Sequence, residues 1–306
     1  MDSMVVHHVW TSPFASAGGC TVTQVPAFPG QPVLVIGLSR CGTSYLASFL
    51  SANGVSIGAD LQQAGAVNPR GFFEERTVVD FHKRILARTD LLGARVPLLA
   101  SSIVPAFDSS DKEEAVRILE SLARPGPWGW KDPRTLLFID SWLSLLPNAK
   151  LIIPIRHPLE NYSSYWKRIR VRPILKPYVF FKNYARQCER ILEVVRQHAS
   201  QAYVFDAQTG YRNQQLLANE LTAFLEIDQS APSAYPVFHE SEFTRLRLSQ
   251  QACDTFARHF PAAAGAFDQL NRVARIQFRP LTDSSRLDPL WSMVGAVLSR
   301  MGDATP

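Results

Sequence analysis

Two arginines, a lysine and a pair of glutamates stand where they could grip and act on a strongly anionic ligand. The first arginine lies in QPVLVIGLSRCGTSYLASFL, residues 31–50. Val33 to Ile36 is a short apolar run of the kind that forms a strand buried on both faces. Gly37 and Gly42 bracket a tight loop that holds Ser39, Arg40 and Cys41, and from Thr43 and Ser44 onward Tyr45, Leu46, Phe49 and Leu50 recur at helical spacing. Such a strand–loop–helix junction directs several N–H groups at one spot. The helix dipole adds partial positive charge there, which favours an anion such as phosphate. An ordinary glycine turn in an α/β domain would use the same residues.

A second cationic position follows a second buried strand. Ala149 to Ile155 (AKLIIPI) leads into Arg156, then Pro158 and a helix carrying Ser164, eight residues after the arginine. Arg156 leaves the strand tip, and Ser164, about two turns into the helix, can point back to the same phosphate. A planar guanidinium donates in parallel to two phosphate oxygens. The plainer alternative is a strand-end arginine in a surface salt bridge. Between the two arginines, Trp128-Gly129-Trp130-Lys131-Asp132-Pro133 reads as a strand running into a turn. A lysine at a strand end in an α/β sheet lies at the edge where ligands bind, or it simply pairs with Asp132. Glu74 and Glu75 open a helix whose Val78, Val79, His82, Ile85 and Leu86 fall at helical spacing. Carboxylates are favoured in that first turn for electrostatic reasons alone.

The elements that must position these groups alternate strand and helix. Residues 1–30 read as a loose lead-in ending in proline and glycine punctuation. Residues 31–306 read as one domain of α/β class. It is a P-loop-like three-layer fold with a central, mainly parallel sheet flanked by helices. A helix stop is expected at Asn53-Gly54 and an extended piece over Val55 to Ile57. Residues 95–110 read as loop, and Ser110 with Glu113 has the form of a capping box opening a helix over 111–124. A helix runs from about Arg134 to Leu146 and a long one over 178–199. Ala202 to Asp206 is a further strand, 213–227 an amphipathic helix, and about 230–306 a helical C-terminal portion.

Set in this order, the segments resemble those of the sulfotransferase superfamily, whose donor is 3′-phosphoadenosine 5′-phosphosulfate (PAPS). Arg40-Cys41-Gly42-Thr43-Ser44 is similar to the 5′-phosphosulfate loop, which implies cofactor contacts from residues 39–44. Arg156 with Ser164 resembles the 3′-phosphate segment. Asn68-Pro69-Arg70-Gly71-Phe72-Phe73-Glu74 is similar to a segment of many bacterial members, which makes Glu74 the candidate general base, with Glu75, His82 and Asp80 behind it. Trp130-Lys131-Asp132-Pro133 resembles the K-D-P segment of the tyrosylprotein sulfotransferases and their bacterial relatives, where the lysine contacts the transferring sulfonate. The resemblance covers roughly 33–227 and is patchy between motifs. The C-terminal R-K-G-x-x-G loop of cytosolic members is missing, with Arg275 or Arg279 as replacement cations. Phe205 and Asp206 stand where relatives carry Tyr-Glu, so no cofactor contact is assigned to them.

The resemblance implies in-line transfer of a sulfonate to a hydroxyl of a glycan or a peptide tyrosine, with Glu74 taking the proton. Arg40, Lys131 and the N–H groups of residues 41–44 would stabilise developing charge. Two other readings are a P-loop kinase or nucleotidase and a non-catalytic cofactor-binding module. The triphosphatase loop needs G-x-x-x-x-G-K-[ST], and here Thr43 stands in the lysine's place.

Composition sets the limits. The chain has 306 residues, is 46% hydrophobic and 19% charged, and carries a net charge of +5, values that suit a soluble globular protein. No lysine/arginine block marks a nucleic-acid tail. Cys20, Cys41, Cys188 and Cys253 form no C-x-x-C pair and no zinc spacing, so no metal is expected and reduced thiols are the default. Cys41, at a helix start, sits where a thiolate would be favoured, though a small packing residue is the simpler reading. Neither a signal sequence nor an apolar run of membrane-spanning length is read, and a cytoplasmic, bacterial enzyme is expected. KRIRVRP at 167–173 is locally basic, and Trp128, Trp130, Tyr165 and Trp166 serve either as core or as stacking surface.

Overall fold

The structure, a computed structural model, describes residues 27–62, 71–100, 106–168, 176–227 and 248–280. Five strands form one sheet: β1 (Gln31–Val35), β2 (Ser56–Ile57), β3 (Pro127–Lys131), β4 (Lys150–Ile155) and β5 (Ala202–Asp206). Their order is β2-β3-β1-β4-β5, and every pairing is parallel. Strand side chains alternate between faces, as the two-residue period requires. Leu34, Trp128, Trp130, Leu151, Ile153 and Val204 enter one apolar layer, and Val33, Val35, Ile152, Tyr203 and Phe205 the other.

Helices close both layers. α1 (Thr43–Ala52) follows β1 and covers the second face with Leu46, Phe49 and Leu50. Each such fully buried side chain contributes about 1.5–3 kcal/mol. α2 (Arg76–Ala87), α3 (Leu91–Arg95), α4 (Ser109–Leu122), α5 (Ile139–Leu145), α6 (Pro158–Arg168) and α7 (Pro177–Gln197) follow in the chain. Most of their apolar residues pack on the first face. α8 (Ala207–Arg212) and α9 (Gln214–Leu225) return to the second face, and α10 (Gln250–His259) and α11 (Pro261–Val273) pack on the first.

Several boundaries differ from expectation for local reasons. The box that opens α4 is Asp108 with Asp111, each carboxylate accepting from the other's backbone N–H, and not Ser110 with Glu113. Asp108 sits two residues earlier, and an aspartate caps as well as a serine does. The stretch after Pro133 begins as a 3-10 turn over Pro133–Phe138 before α5 starts. Residues 95–110 are not all loop, since α3 runs to Arg95 and a 3-10 turn covers Pro97–Leu99. α8 was not expected: Asp206 caps it by accepting from Thr209 N–H, and Asn213 separates it from α9. The lead-in is anchored at its end, where Phe28 packs edge-on against Trp128 and the Trp128 indole donates to Pro29 O. The segments 1–26, 63–70, 101–105, 169–175, 228–247 and 281–306, and with them Cys20, Asn68-Pro69-Arg70, most of KRIRVRP and much of the expected helical C-terminal portion, lie outside the described residues.

Two details fix the spacing of the central strands. Gly129 pairs with Val33 in register, and a Cβ on Gly129 would stand 1.8 Å from Val33 O. A Cβ on Gly37, just past β1, would meet Pro154 O at 3.0 Å. The β1 turn and its two neighbours therefore run close together at the carboxyl edge. There the strand order switches sides, the position where open α/β sheets bind ligands.

Candidate functional site

Three adjacent strands deliver the site. Val35 of β1 pairs with Lys131 of β3 on one side and Ile152 of β4 on the other. The loop 37–42, Lys131 and Arg156 thus emerge at one edge of the sheet. Arg40 adopts φ 71° and Gly42 φ 77°. Glycine takes that conformation freely, whereas Arg40 does so at a cost of about 1–3 kcal/mol that the surroundings must offset. Arg156 Nη1 donates to Arg40 O at 3.1 Å, and Arg40 Nε donates to Ser164 Oγ at 3.2 Å. The two arginines and the serine are therefore one cluster. Gly42 is the N-cap of α1 and supplies no side-chain cap, leaving the dipole end of the helix at the loop.

The loop is tied from behind. Asn161 Nδ2 donates to Ser39 O at 3.0 Å and to Cys41 Sγ at 3.2 Å, and Tyr211 OH donates to Gly42 O at 3.0 Å. Cys41 N–H bonds Leu38 O at 3.2 Å. It belongs to the loop's own turn and is removed from the outward donors expected over 41–44. Burial pushes the Cys41 thiol up to about 12 against the pull of Arg156, so it is a packed thiol and no thiolate. Thr43 is buried in the first turn of α1, and Ser44 Oγ donates to Phe72 O at 3.2 Å.

That last bond joins the loop to the strip bearing Glu74. Phe73 adopts φ 51°, Gln62 N–H donates to Glu74 O, and the Glu74 carboxylate meets Lys131 Nζ at 2.6 Å. Lys131 is 2% exposed and Glu74 12%. Lys131 therefore pairs with Glu74 and not with Asp132. Of the residues behind Glu74 as candidate base, Glu75 is the N-cap of α2. Its carboxylate accepts from Ala59 N–H, Asp60 N–H and Thr77. Asp80 is exposed beside Lys83. His82 is fully buried, with Nδ1 2.8 Å from Asp132 and Nε2 accepting from the Trp142 indole at 2.8 Å. Trp142 can only donate, so His82 carries its proton on Nδ1 and gives it to Asp132. Burial holds the His82 pKa below its ordinary value. Burial alone would raise Asp132, but Arg134 and His82 outweigh it and keep the carboxylate ionised. Both nitrogens of His82 are occupied, so it has none with which to accept a substrate proton.

Beneath Arg156 lies a buried acidic pair. Arg156 Nε stands 3.4 Å from Glu160 Oε2, and both residues are almost wholly buried. The salt bridge at Arg156 is therefore internal, and two of its nitrogens already serve the protein. Burial pushes Glu160 up to about 7 despite Arg156 and also raises Asp206, whose Oδ1 accepts from Thr209. With its amide nitrogen turned to Glu160, Gln208 donates to that carboxylate, and its oxygen accepts from Arg212 at 2.9 Å. Arg275 lies over the rings of Tyr203 and Phe224, 3.9 Å from Glu220. Trp128, Trp130 and Tyr165 are core, and Trp166 is partly buried against it.

Sequence reasoning missed Asn161, Glu160 and Tyr211. Glu160 had a signal, a carboxylate four residues after Arg156 in the first turn of the helix that follows it. Asn161 lies one turn before Ser164. Tyr211 had none, because only the fold carries α8 to the loop. Among the described residues no group of three or more metal-ligating side chains occurs, and no helix is long and apolar enough to cross a membrane.

A search of curated proteins finds no match. Among solved structures, a sulfotransferase from Alicyclobacillus acidocaldarius aligns at 16% identity with a TM-score of 0.49, covering 83% of this chain and 98% of that one. The sulfotransferase STF9 from Mycobacterium avium aligns at 14% identity with a TM-score of 0.48, covering 83% of this chain and 79% of that one. STF1 from Mycobacterium tuberculosis H37Rv aligns at 15% with a TM-score of 0.44, covering 71% and 74%. The assignment rests on the sequence family: the model described as the sulfotransferase family matches residues 32–209, more than half of the chain. The chain belongs to the sulfotransferase family and is an enzyme of that type.

Proposed function

We propose that this enzyme takes the sulfonate from PAPS and transfers it to a hydroxyl of a glycan or a peptide tyrosine, leaving adenosine 3′,5′-bisphosphate. The observation that carries the reading is the single cluster of Arg40, Ser164 and Arg156 at the mouth of an uncapped helix. One nucleotide with phosphates at both ends suits two joined cationic positions better than a triphosphate does. Ser39, Arg40, Gly42, Thr43 and Ser44 would surround the 5′-phosphosulfate, with Cys41 as packing beneath. Arg156 and Ser164 would take the 3′-phosphate.

The chemistry is displacement at sulfur. The acceptor oxygen forms a bond to sulfur as the bond from sulfur to the bridging phosphate oxygen breaks, and the acceptor proton must leave. Glu74 is the proposed proton acceptor, a step worth about 10²–10⁴ in rate. Lys131, 2.6 Å from it, supplies positive charge to the sulfonate and bridging oxygens. Each preorganised donor of this kind is worth about 3–4 kcal/mol in the transition state. The phosphate contacts hold the donor in line. The buried, free thiols of Cys41 and Cys188 suit a reducing compartment, which supports a cytoplasmic setting.

Incubating the protein with PAPS and panels of glycans and tyrosine peptides, and measuring bisphosphate release and sulfated product, tests the reading. Acceptor-dependent release is expected. Tight bisphosphate binding with no turnover on either panel would count against transfer to these acceptors.

A further inference from the structure

Apart from the Arg40–Ser164 bond, the loop has a set of holds on its backbone carbonyls. The carbonyls of residues 39, 40 and 42 each accept a bond from a side chain of another element. Asn161 of α6 takes Ser39 O, Arg156 takes Arg40 O, and Tyr211 of α8 takes Gly42 O. A trans peptide is planar, so its C=O and the following N–H point in opposite directions. Anchoring Ser39 O therefore turns Arg40 N–H the other way. Anchoring Gly42 O does the same for Thr43 N–H, the first donor of α1. A loop carbonyl turned outward would instead face the anion with negative charge.

Tyr211 lies outside the matched family segment, which ends at residue 209. Its ring is wholly buried, edge-on to Tyr45 at 4.6 Å and to Phe205 at 5.7 Å. The hydroxyl is delivered to Gly42 O, which also accepts the first helical bond from Leu46 N–H at 3.1 Å. Burial raises the phenol well above its ordinary pKa, so it remains a donor at all working pH values. Asn161 is equally buried, and its amide reaches both Ser39 O and Cys41 Sγ.

We propose that Tyr211 and Asn161 are positioning residues for the 5′ end of the donor: by holding loop carbonyls from behind, they aim the Arg40 and Thr43 N–H groups at the 5′-phosphate. The inference rests on the nucleotide reading given above. Neither side chain touches the donor, so the expected signature is selective by nucleotide.

Titration calorimetry of the full chain with adenosine 3′,5′-bisphosphate and with adenosine 3′-phosphate provides the test. The second probe lacks the group that the loop would bind. Tyr211→Phe removes one hydroxyl and keeps the ring packing. Loss of one such hydrogen bond should weaken bisphosphate binding about five- to tenfold and leave 3′-phosphate binding unchanged. Asn161→Ala should act in the same direction. Should that variant fail to fold, Tyr211→Phe decides alone. An equal loss for both probes, or no loss for either, overturns the positioning role while leaving the nucleotide reading intact. Wild-type protein that binds neither probe overturns both.

Discussion

The two halves of the site are built in different ways. The phosphate cradle is held by three elements that contribute nothing else in common: α6 through Asn161 and Ser164, the end of β4 through Arg156, and α8 through Tyr211. The chemical half is one ion pair, Glu74 to Lys131, with its carboxylate on an extended strip tied by Ser44 to Phe72 O and by Gln62 to Glu74 O. The difference teaches where rigidity is placed. On the proposed reading, affinity for the donor would be distributed over many contacts, whereas turnover would depend on two side chains.

The sharpest way to break this contrast is Glu74→Gln. Turnover should fall by about 10²–10⁴ with bisphosphate affinity unchanged. Steady-state rates and calorimetry read the two effects separately, and a matching loss of affinity would erase the division. Arg156→Ala strikes the other half. It removes a charge-assisted contact and strands buried Glu160, so bisphosphate binding should weaken on the order of a hundredfold, a change calorimetry would register. A weakening below tenfold would show that the cradle does not depend on this residue.

His82→Ala sharpens the comparison by its lack of effect on either half. It leaves the Trp142 indole without its acceptor and Asp132 Oδ2 without its donor inside the core, Asp132 Oδ1 keeping Arg134, so stability should fall by about 3 kcal/mol in denaturant melts. Where the variant is folded, turnover should persist, and a loss on the Glu74→Gln scale would return His82 to candidacy as the base. The smallest effect concerns pH. Burial raises Glu160 from 4.5 to about 7, so the folded protein binds its proton more tightly than the unfolded chain does. That contribution to stability is present below about pH 4.5 and is lost as pH rises through 7. Glu160→Gln should flatten this slope in thermal melts taken from pH 5 to 8, and an unchanged slope would assign it to other groups.

Much of the scaffold was legible because its signals are local. The apolar runs before Gly37 and Arg156 became β1 and β4, and helical spacing after Thr43 and Glu75 became α1 and α2. Strand order was not legible, since nothing in AKLIIPI says that it lies beside β1. Arg40 and Ser164 could be placed near each other only through the resemblance. Glu75 shows the limit of composition: two adjacent glutamates look alike in sequence. A shift of one residue sends one into a helix cap and the other to Lys131. His82 reads as a titratable group within a helix, but its partners Asp132 and Trp142 come from distant segments. Tyr211 was invisible because its target, Gly42 O, is a backbone atom 169 positions away.

Gly129 carries a consequence for how such a site can change. Its pairing with Val33 admits only hydrogen, because a methyl group there would lie 1.8 Å from the facing carbonyl. Two positions along the same ladder stands Lys131, opposite the last residue of β1. Any bulk added between the two tryptophans would wedge these strands apart and carry the ammonium group off with one of them. The gap between the cation and the neighbouring turn is thus metered by a side chain that must stay absent. A drift toward alanine at this interior point would detune the chemistry without touching a single polar atom.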